Sequence, residues 1–147
     1  MKHQLTPHFS LDEFTRSATA TARGIVNDPS TSVISNLQHL CQEVLEPLRE
    51  HVGVPILINS GFRSQELNRA VGGAANSQHI TGQAADLHVP DADTALQWLL
   101  WIHRHCIYDQ LILEQKGGVF WIHVSCCRTL KQNRFQVKYI ITQRDSP

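Results

Sequence analysis

Two adjacent glycines, Gly117 and Gly118, stand between the runs DQLILE (109–114) and VFWIHVS (119–125). Glycines so placed signal a tight hairpin, because a two-residue turn needs backbone conformations that only glycine adopts freely. A hairpin commits this stretch to antiparallel pairing. If the two glycines are the whole turn, Glu114 pairs with Trp121 and Ile112 with His123. Cross-strand partners share a face, so Glu114, Trp121 and His123 then point the same way. A one-residue change in the loop would reverse that parity. A further apolar run at 136–141, QVKYII, reads as a third strand.

The rest of the chain alternates helix and strand signals. Ser10 and Glu13 have capping-box spacing and predict a short helix from Leu11 to about Arg16. SATATARGIVNDPS, at 17–30, reads as a Thr/Gly/Asn/Pro-rich connection. Apolar residues at Val33, Leu37, Leu40, Cys41, Val44, Leu45 and Leu48 follow helical period and predict the main core helix between Ser32 and Val52. Pro47 lacks an amide hydrogen and should kink that helix or split off its last turn. PILINS (55–60) reads as a buried strand, and AADLHV (84–89) as another. Ser64 caps a short helix that ends before Gly72-Gly73, and Asp91 caps one with apolar positions Ala95, Trp98, Leu99 and Ile102. This order predicts an α+β fold, a mainly antiparallel sheet packed with helices. At 147 residues, 1–147 reads as a single domain.

Several function classes are excluded at this level. Thirteen Lys and Arg balance thirteen Asp and Glu, so there is no electrostatic footprint for nucleic acid. No run approaches the ~20 apolar residues of a membrane span. The opening MKHQLTPHFSLDEF lacks the apolar stretch of a secretory signal, so the expected location is the cytoplasm of the producing cell until something releases the protein. The four cysteines, Cys41, Cys106, Cys126 and Cys127, show no C-x-x-C spacing. Cys41 reads as a buried small hydrophobe, Cys126 and Cys127 as residues on opposite faces if they lie on a strand, and no disulfide framework is expected.

The chemistry-bearing candidates gather downstream of SGFRSQELNRAVGG (60–73), where NSQHITGQAAD (76–86) holds His79 in a Gly-containing loop and Asp86 at the start of a strand. Catalytic zinc sites use three protein ligands from His, Asp, Glu or Cys and leave a position for water. Two of the three could be His79 and Asp86. The third could be His88, on the Asp86 face of its strand, or His123, inside the apolar run VFWIHVS. Glu114 would stand diagonal to His123, near such a site, or be a surface residue beside a turn. Arg63 offers a planar fork for carboxylates and polarised carbonyls, or is a surface residue beside a helix cap.

SGFRSQELNRAVGGAANSQHITGQAADL resembles the signature of the zinc D-alanyl-D-alanine carboxypeptidase and L-alanyl-D-glutamate endopeptidase superfamily, which shares the metal-site fold of the hedgehog signalling domain. Its S-x-H-x-x-G-x-A-x-D core appears as Ser77, His79, Gly82, Ala84 and Asp86, and its later W-x-H strand as Trp121-Ile122-His123. FSLDEFTRSATATARGIVNDPS and DQLILE are similar to small, phage-encoded members, so the resemblance covers roughly residues 9 to 125. It implies one Zn2+ per chain, held by His79, Asp86 and His123, with His88 left as a second-sphere or surface residue. It implies that Arg63 binds or polarises the substrate's carbonyl or carboxylate and that Ser77 lies near the substrate. Several relatives carry an acidic base three positions before the last histidine, where this chain has Phe120. Others carry a His two positions before it, where this chain has Trp121. Glu114 is therefore the expected general base. Gly82, Ala84 and Ala85 are expected where the backbone passes close to the metal. The implied activity is hydrolysis of D-amino-acid-containing stem peptides of bacterial peptidoglycan, by a phage-type lysis or virion-associated enzyme. The alternative is a non-catalytic, zinc-containing wall-binding or virion module.

Overall fold

The computed structural model of the chain describes residues 3–142. Its centre is a five-stranded sheet. In chain order the strands are β3 (Ile58–Ser60), β4 (Ala84–His88), β5 (Gln110–Lys116), β6 (Val119–Ser125) and β7 (Gln136–Thr142), and their order in space is β3-β4-β6-β5-β7. A small hairpin of β1 (Gln4–Thr6) and β2 (Phe9–Ser10) precedes them. Lys116 pairs with Val119, so Gly117 and Gly118 alone form the β5–β6 turn. Gly117 has φ 62, the positive first position of a II′ turn. The register is the one expected from the two glycines: Glu114 opposite Trp121 and Ile112 opposite His123.

The third C-terminal strand departs from the antiparallel pattern, because β7 runs parallel to β5. It does reverse direction after β6, as a meander would. Both sides of β6 are already taken, by β4 and β5, so β7 lies beyond β5, where the same direction is parallel. The sheet is α+β and mixed, with β7 supplying its parallel pair.

Helices pack with the sheet. They are α1 (Asp12–Thr15), α2 (Ala18–Arg23), α3 (Thr31–Leu40), α4 (Glu46–Val52), α5 (Gln65–Ala70) and α6 (Ala92–His105). Between α3 and α4 a wide π turn spans Cys41–Leu45, so the expected core helix runs on without a break. The widening falls just before Pro47, whose ring would otherwise press on the carbonyl of residue 43. Leu37, Leu40, Cys41, Val44, Leu45 and Leu48 are all fully buried. They pack with Ala85, Leu87, Ile122, Val124, Leu111 and Leu113 from the helix-facing side of the sheet. On α6, Asp91 accepts from the Thr94 amide at 2.7 Å, and Ala95, Leu99 and Ile102 are buried.

Two local expectations are corrected. The 17–30 connection contains α2, capped by Ser17 and closed by Gly24 in the left-handed region at φ 65. PILINS is not buried throughout: Ile56 and Ile58 are buried, but Leu57 is 57% exposed, because β3 is an edge strand with one solvated face. At Ser10 and Glu13 the reciprocal half of the capping box forms, with the Glu13 carboxylate accepting from the Ser10 amide at 2.6 Å. The four cysteines are free and buried, and Cys126 and Cys127 follow the end of β6 rather than lying on it.

Candidate metal centre

Strand alternation divides the labour of the sheet. Odd positions of β4 face the helical core, and even positions face the other way, so Asp86 stands on the opposite face from Ala85 and Leu87. Asp86 and His123 are direct cross-strand partners. His79 reaches them from the loop between α5 and β4. Its ring is held by a bond of 2.6 Å between Nδ1 and the Gly61 carbonyl. A carbonyl only accepts, so Nδ1 carries the proton and Nε2 presents a lone pair. His79 is 2% exposed, yet Nε2 has no hydrogen-bond partner. A buried orphan of this kind calls for an explanation.

Its surroundings supply one. Nε2 lies 3.4 Å from Asp86 Oδ1, and His123 Nδ1 lies 3.0 Å from the same oxygen. One ligand atom from each of the three residues falls within 4.8 Å of the others. A tetrahedral zinc with ligands at about 2.0–2.1 Å separates its ligand atoms by about 3.3 Å, so the spacing fits. Two neutral imidazoles and a carboxylate also fit the donor set of a three-ligand catalytic site. Burial alone would raise the Asp86 carboxyl, but the hydrogen bond with His123 is foremost among the contacts that outweigh it and hold the group well below the usual carboxylate range, hence anionic.

Gly61 is there for a steric reason. A side chain on it would come within 2.6 Å of the Phe14 Cα on α1. Gly82 is small for a packing reason of its own. It has φ 78, and a Cβ there would meet the Val33 carbonyl at 2.7 Å, so its smallness admits α3. Ala85 likewise faces the core cluster.

Arg63 is fixed beside the triad. Its Nε donates to Ser60 Oγ at 3.2 Å and Nη1 to Asn68 Oδ1 at 2.9 Å, while Nη2 lies 3.8 Å from Asp86 Oδ2. Burial lowers the guanidinium below its ordinary value, and the carboxylates of Asp86 and Glu114 pull it back up. Asn68 is itself buried and donates from Nδ2 to the Ala74 carbonyl at 2.9 Å. A Cβ on Gly73 would stand 2.1 Å from Asn68 Oδ1 and 2.6 Å from Arg63 Nη1. A side chain on Gly73 would therefore displace the Arg63–Asn68 pair.

Two clefts flank the triad. The first, about 510 Å3, is lined by Arg63, Phe62, Asp86, Glu114 and Trp121. The second, about 370 Å3, is lined by Ser77, Gln78, His123, Glu114 and Ile112 among others. Glu114 lines both. Its Oε2 accepts from Trp121 Nε1 at 2.6 Å. Ser77 Oγ accepts from the His79 amide at 3.2 Å, bracing the loop while lining the second cleft. His88 shares the face of Asp86 but is exposed at the far end of β4, outside the triad.

Residues 7–125 match the family model described as Peptidase M15. The chain belongs to the peptidase M15 family. A stretch of 44 residues is 52% identical to the zinc D-Ala-D-Ala carboxypeptidase of Streptomyces albus G, covering 29% of this chain and 17% of that protein. The match thus spans well under two thirds of that relative's length. The α+β architecture is consistent with M15 membership.

Sequence reasoning about this M15 member passed over two groups. Asn68 gave no signal beyond a polar residue within a short helix. The buried carboxylate of Asp109 also went unnoticed. It accepts from Gln78 and from Arg134, tying the His79 loop to the segment after β6. The strand-start position of Asp109, ahead of an apolar run, was the signal available for it.

Proposed function

We propose that this M15 family member is a zinc-dependent peptidase that hydrolyses D-amino-acid-containing stem peptides of bacterial peptidoglycan. The observation that carries the reading is the buried, partnerless Nε2 of His79, aimed at Asp86 and His123 with its tautomer set by Gly61. Those three residues would hold one zinc ion. When bound, zinc supplies Lewis acidity and a water of lowered pKa.

The remaining chemistry belongs to the chain. Trp121 holds Glu114 by Oε2, which leaves Oε1 to take a proton from the attacking water and pass it to the leaving amine. Arg63, steadied by Asn68 and Ser60, offers its remaining donors to the substrate carbonyl or carboxylate and stabilises negative charge that develops there. Ser77 contributes to the wall of the second cleft. The extension of the groove to both sides of Glu114 favours cutting within a peptide over trimming its end. The substrate class is supported by the name of the Streptomyces relative. The resemblance of residues 9–30 and 109–114 to phage-encoded members supports a lysis or virion-associated role.

The test is a digest of purified peptidoglycan by zinc-loaded protein, read by mass spectrometry of the released muropeptides, with bound metal measured on the same sample. The expected result is new amine ends and one zinc per chain, the fragment masses naming the bond. Stoichiometric zinc without any new amine ends would overturn the catalytic reading.

A further inference from the structure

The second half of the groove is partly built from chain that lies outside the family match. Arg134 lines this cleft together with Ser77, Gln110, His123 and Glu114. It lies beyond residue 125, where the match ends, on the segment that crosses from β6 to β7. Its position is set by one carboxylate that is 1% exposed. Asp109 Oδ1 accepts from the Arg134 amide at 2.9 Å and from Nε at 2.8 Å, and Oδ2 accepts from Nη2 at 2.8 Å. Oδ2 also accepts from Gln78 Nε2 at 2.9 Å, so this buckle reaches the residue next to His79. Nη1 takes no part in these bonds, and the Arg134 side chain is 58% exposed. An arginine engaged along its Nε–Nη2 edge still presents a fork of donors from Nη1 and Nη2, the geometry that matches a carboxylate.

We infer that Arg134 forms an anion-recognition subsite in this half of the groove, for a peptide bearing a carboxylate on that side of the cut bond. The inference rests on the peptidase reading above. With Arg63 in the first half, the groove offers a guanidinium on each side of the triad. A peptide with acidic groups flanking the cut bond is then held at both ends, and the α-carboxylate of a γ-linked glutamyl residue is one such group. Asp109 cancels the charge of Arg134, so discrimination comes from paired, directional donors rather than from attraction at a distance. Exposure to water keeps the effect modest. Recognition of this kind acts on binding, not on the reacting atoms, so Arg134 is a specificity residue.

The experiment compares two uncleavable, reduced-amide stem peptides, identical except that the glutamyl α-carboxylate is free in one and amidated in the other. Calorimetry gives the affinity of each for the zinc-loaded wild type, Arg134→Gln and Arg134→Lys. Wild type is expected to bind the free carboxylate about three- to fivefold tighter than the amide. Arg134→Gln should lose the preference, and Arg134→Lys, which keeps charge without a fork, should keep only part of it. The ratio is taken within each variant, so a purely structural role in pairing with Asp109 would lower stability and leave it unchanged. An Arg134→Gln protein with the wild-type ratio overturns the subsite, as does a wild type that binds both peptides equally. The muropeptide digest separates the two readings. Cleavage without the preference removes the subsite alone, and an Arg134-dependent preference without cleavage removes the peptidase reading alone.

Discussion

Replacing Gly61 by alanine tests the link between packing and metal binding. The added methyl would stand 2.6 Å from the Phe14 Cα and 2.7 Å from its Cβ and carbonyl oxygen. Carbon atoms in contact prefer about 3.5–4.0 Å, so a gap of about 1 Å must open between α1 and the end of β3. The Phe62 amide donates to the Phe14 carbonyl at 2.7 Å, so the two segments cannot part without weakening that bond. Overpacking of this kind destabilises by about 1–3 kcal/mol. At about 2–4 °C per kcal/mol for a chain of this size, the metal-free protein should melt about 2–12 °C lower. The same shift moves the carbonyl that sets the His79 tautomer. Loss of such a partner weakens metal binding by about 10- to 100-fold. Thermal unfolding of metal-free protein and zinc competition against a chromophoric chelator read the two effects separately. Gly118→Ala is the control, since a Cβ there meets nothing within 4 Å. Unchanged zinc affinity in a destabilised Gly61→Ala protein would refute the role given to the carbonyl.

Other perturbations probe neighbouring parts of the site. Glu114→Gln should leave zinc stoichiometry intact and slow cleavage by about 10²–10⁴-fold, measured as single-turnover rates on muropeptides; a fast variant would remove Glu114 as the base. Asn68→Ala strips Arg63 Nη1 of its acceptor and the Ala74 carbonyl of its donor, so a stability loss of about 1–3 kcal/mol in urea should accompany a raised KM. A normal KM would show that Arg63 does not need this anchor. Asp109 titrates with a definite sign. The Arg134 guanidinium holds its carboxyl below the ordinary value against the upward push of burial. That stability is fully present above the unfolded value of about 3.9 and is lost as pH falls through the folded one. Urea midpoints between about pH 2 and 6 should therefore fall less steeply for Asp109→Asn than for wild type. Parallel curves would contradict it.

What could be read in advance follows from the range of each interaction. The pairing of Glu114 with Trp121 was legible because two glycines between apolar runs leave one natural register, and a period of two does the rest. The helix through Val33, Leu37, Val44 and Leu48 was legible for the same kind of reason, a spacing repeated along one face. The place of β7 was not, since sheet order depends on which edges earlier strands have already occupied. The helix at 18–23 was hidden by threonines that read as loop, although Ser17 and Gly24 marked its two ends. At the metal centre, the residue types and the facing of His123 could be read from the chain. The Gly61 carbonyl could not, because a backbone oxygen leaves no trace in a sequence and its position depends on how closely α1 approaches. Asn68 and Asp109 were missed on similar grounds, both drawing their meaning from partners brought near only by folding.

The alternation along β4 and β6 has a consequence for how such a protein can change. Asp86 and His123 share their strands, residue by residue, with Leu87, Ile122 and Val124 of the core. Inserting or deleting one residue in either strand would exchange the two sets, pointing leucine and isoleucine at the groove and a carboxylate at the helices. Lineages with this ladder therefore cannot vary the centre by lengthening its strands. Novelty must enter at the rim, where the segment after β6 can be rebuilt without disturbing a single rung.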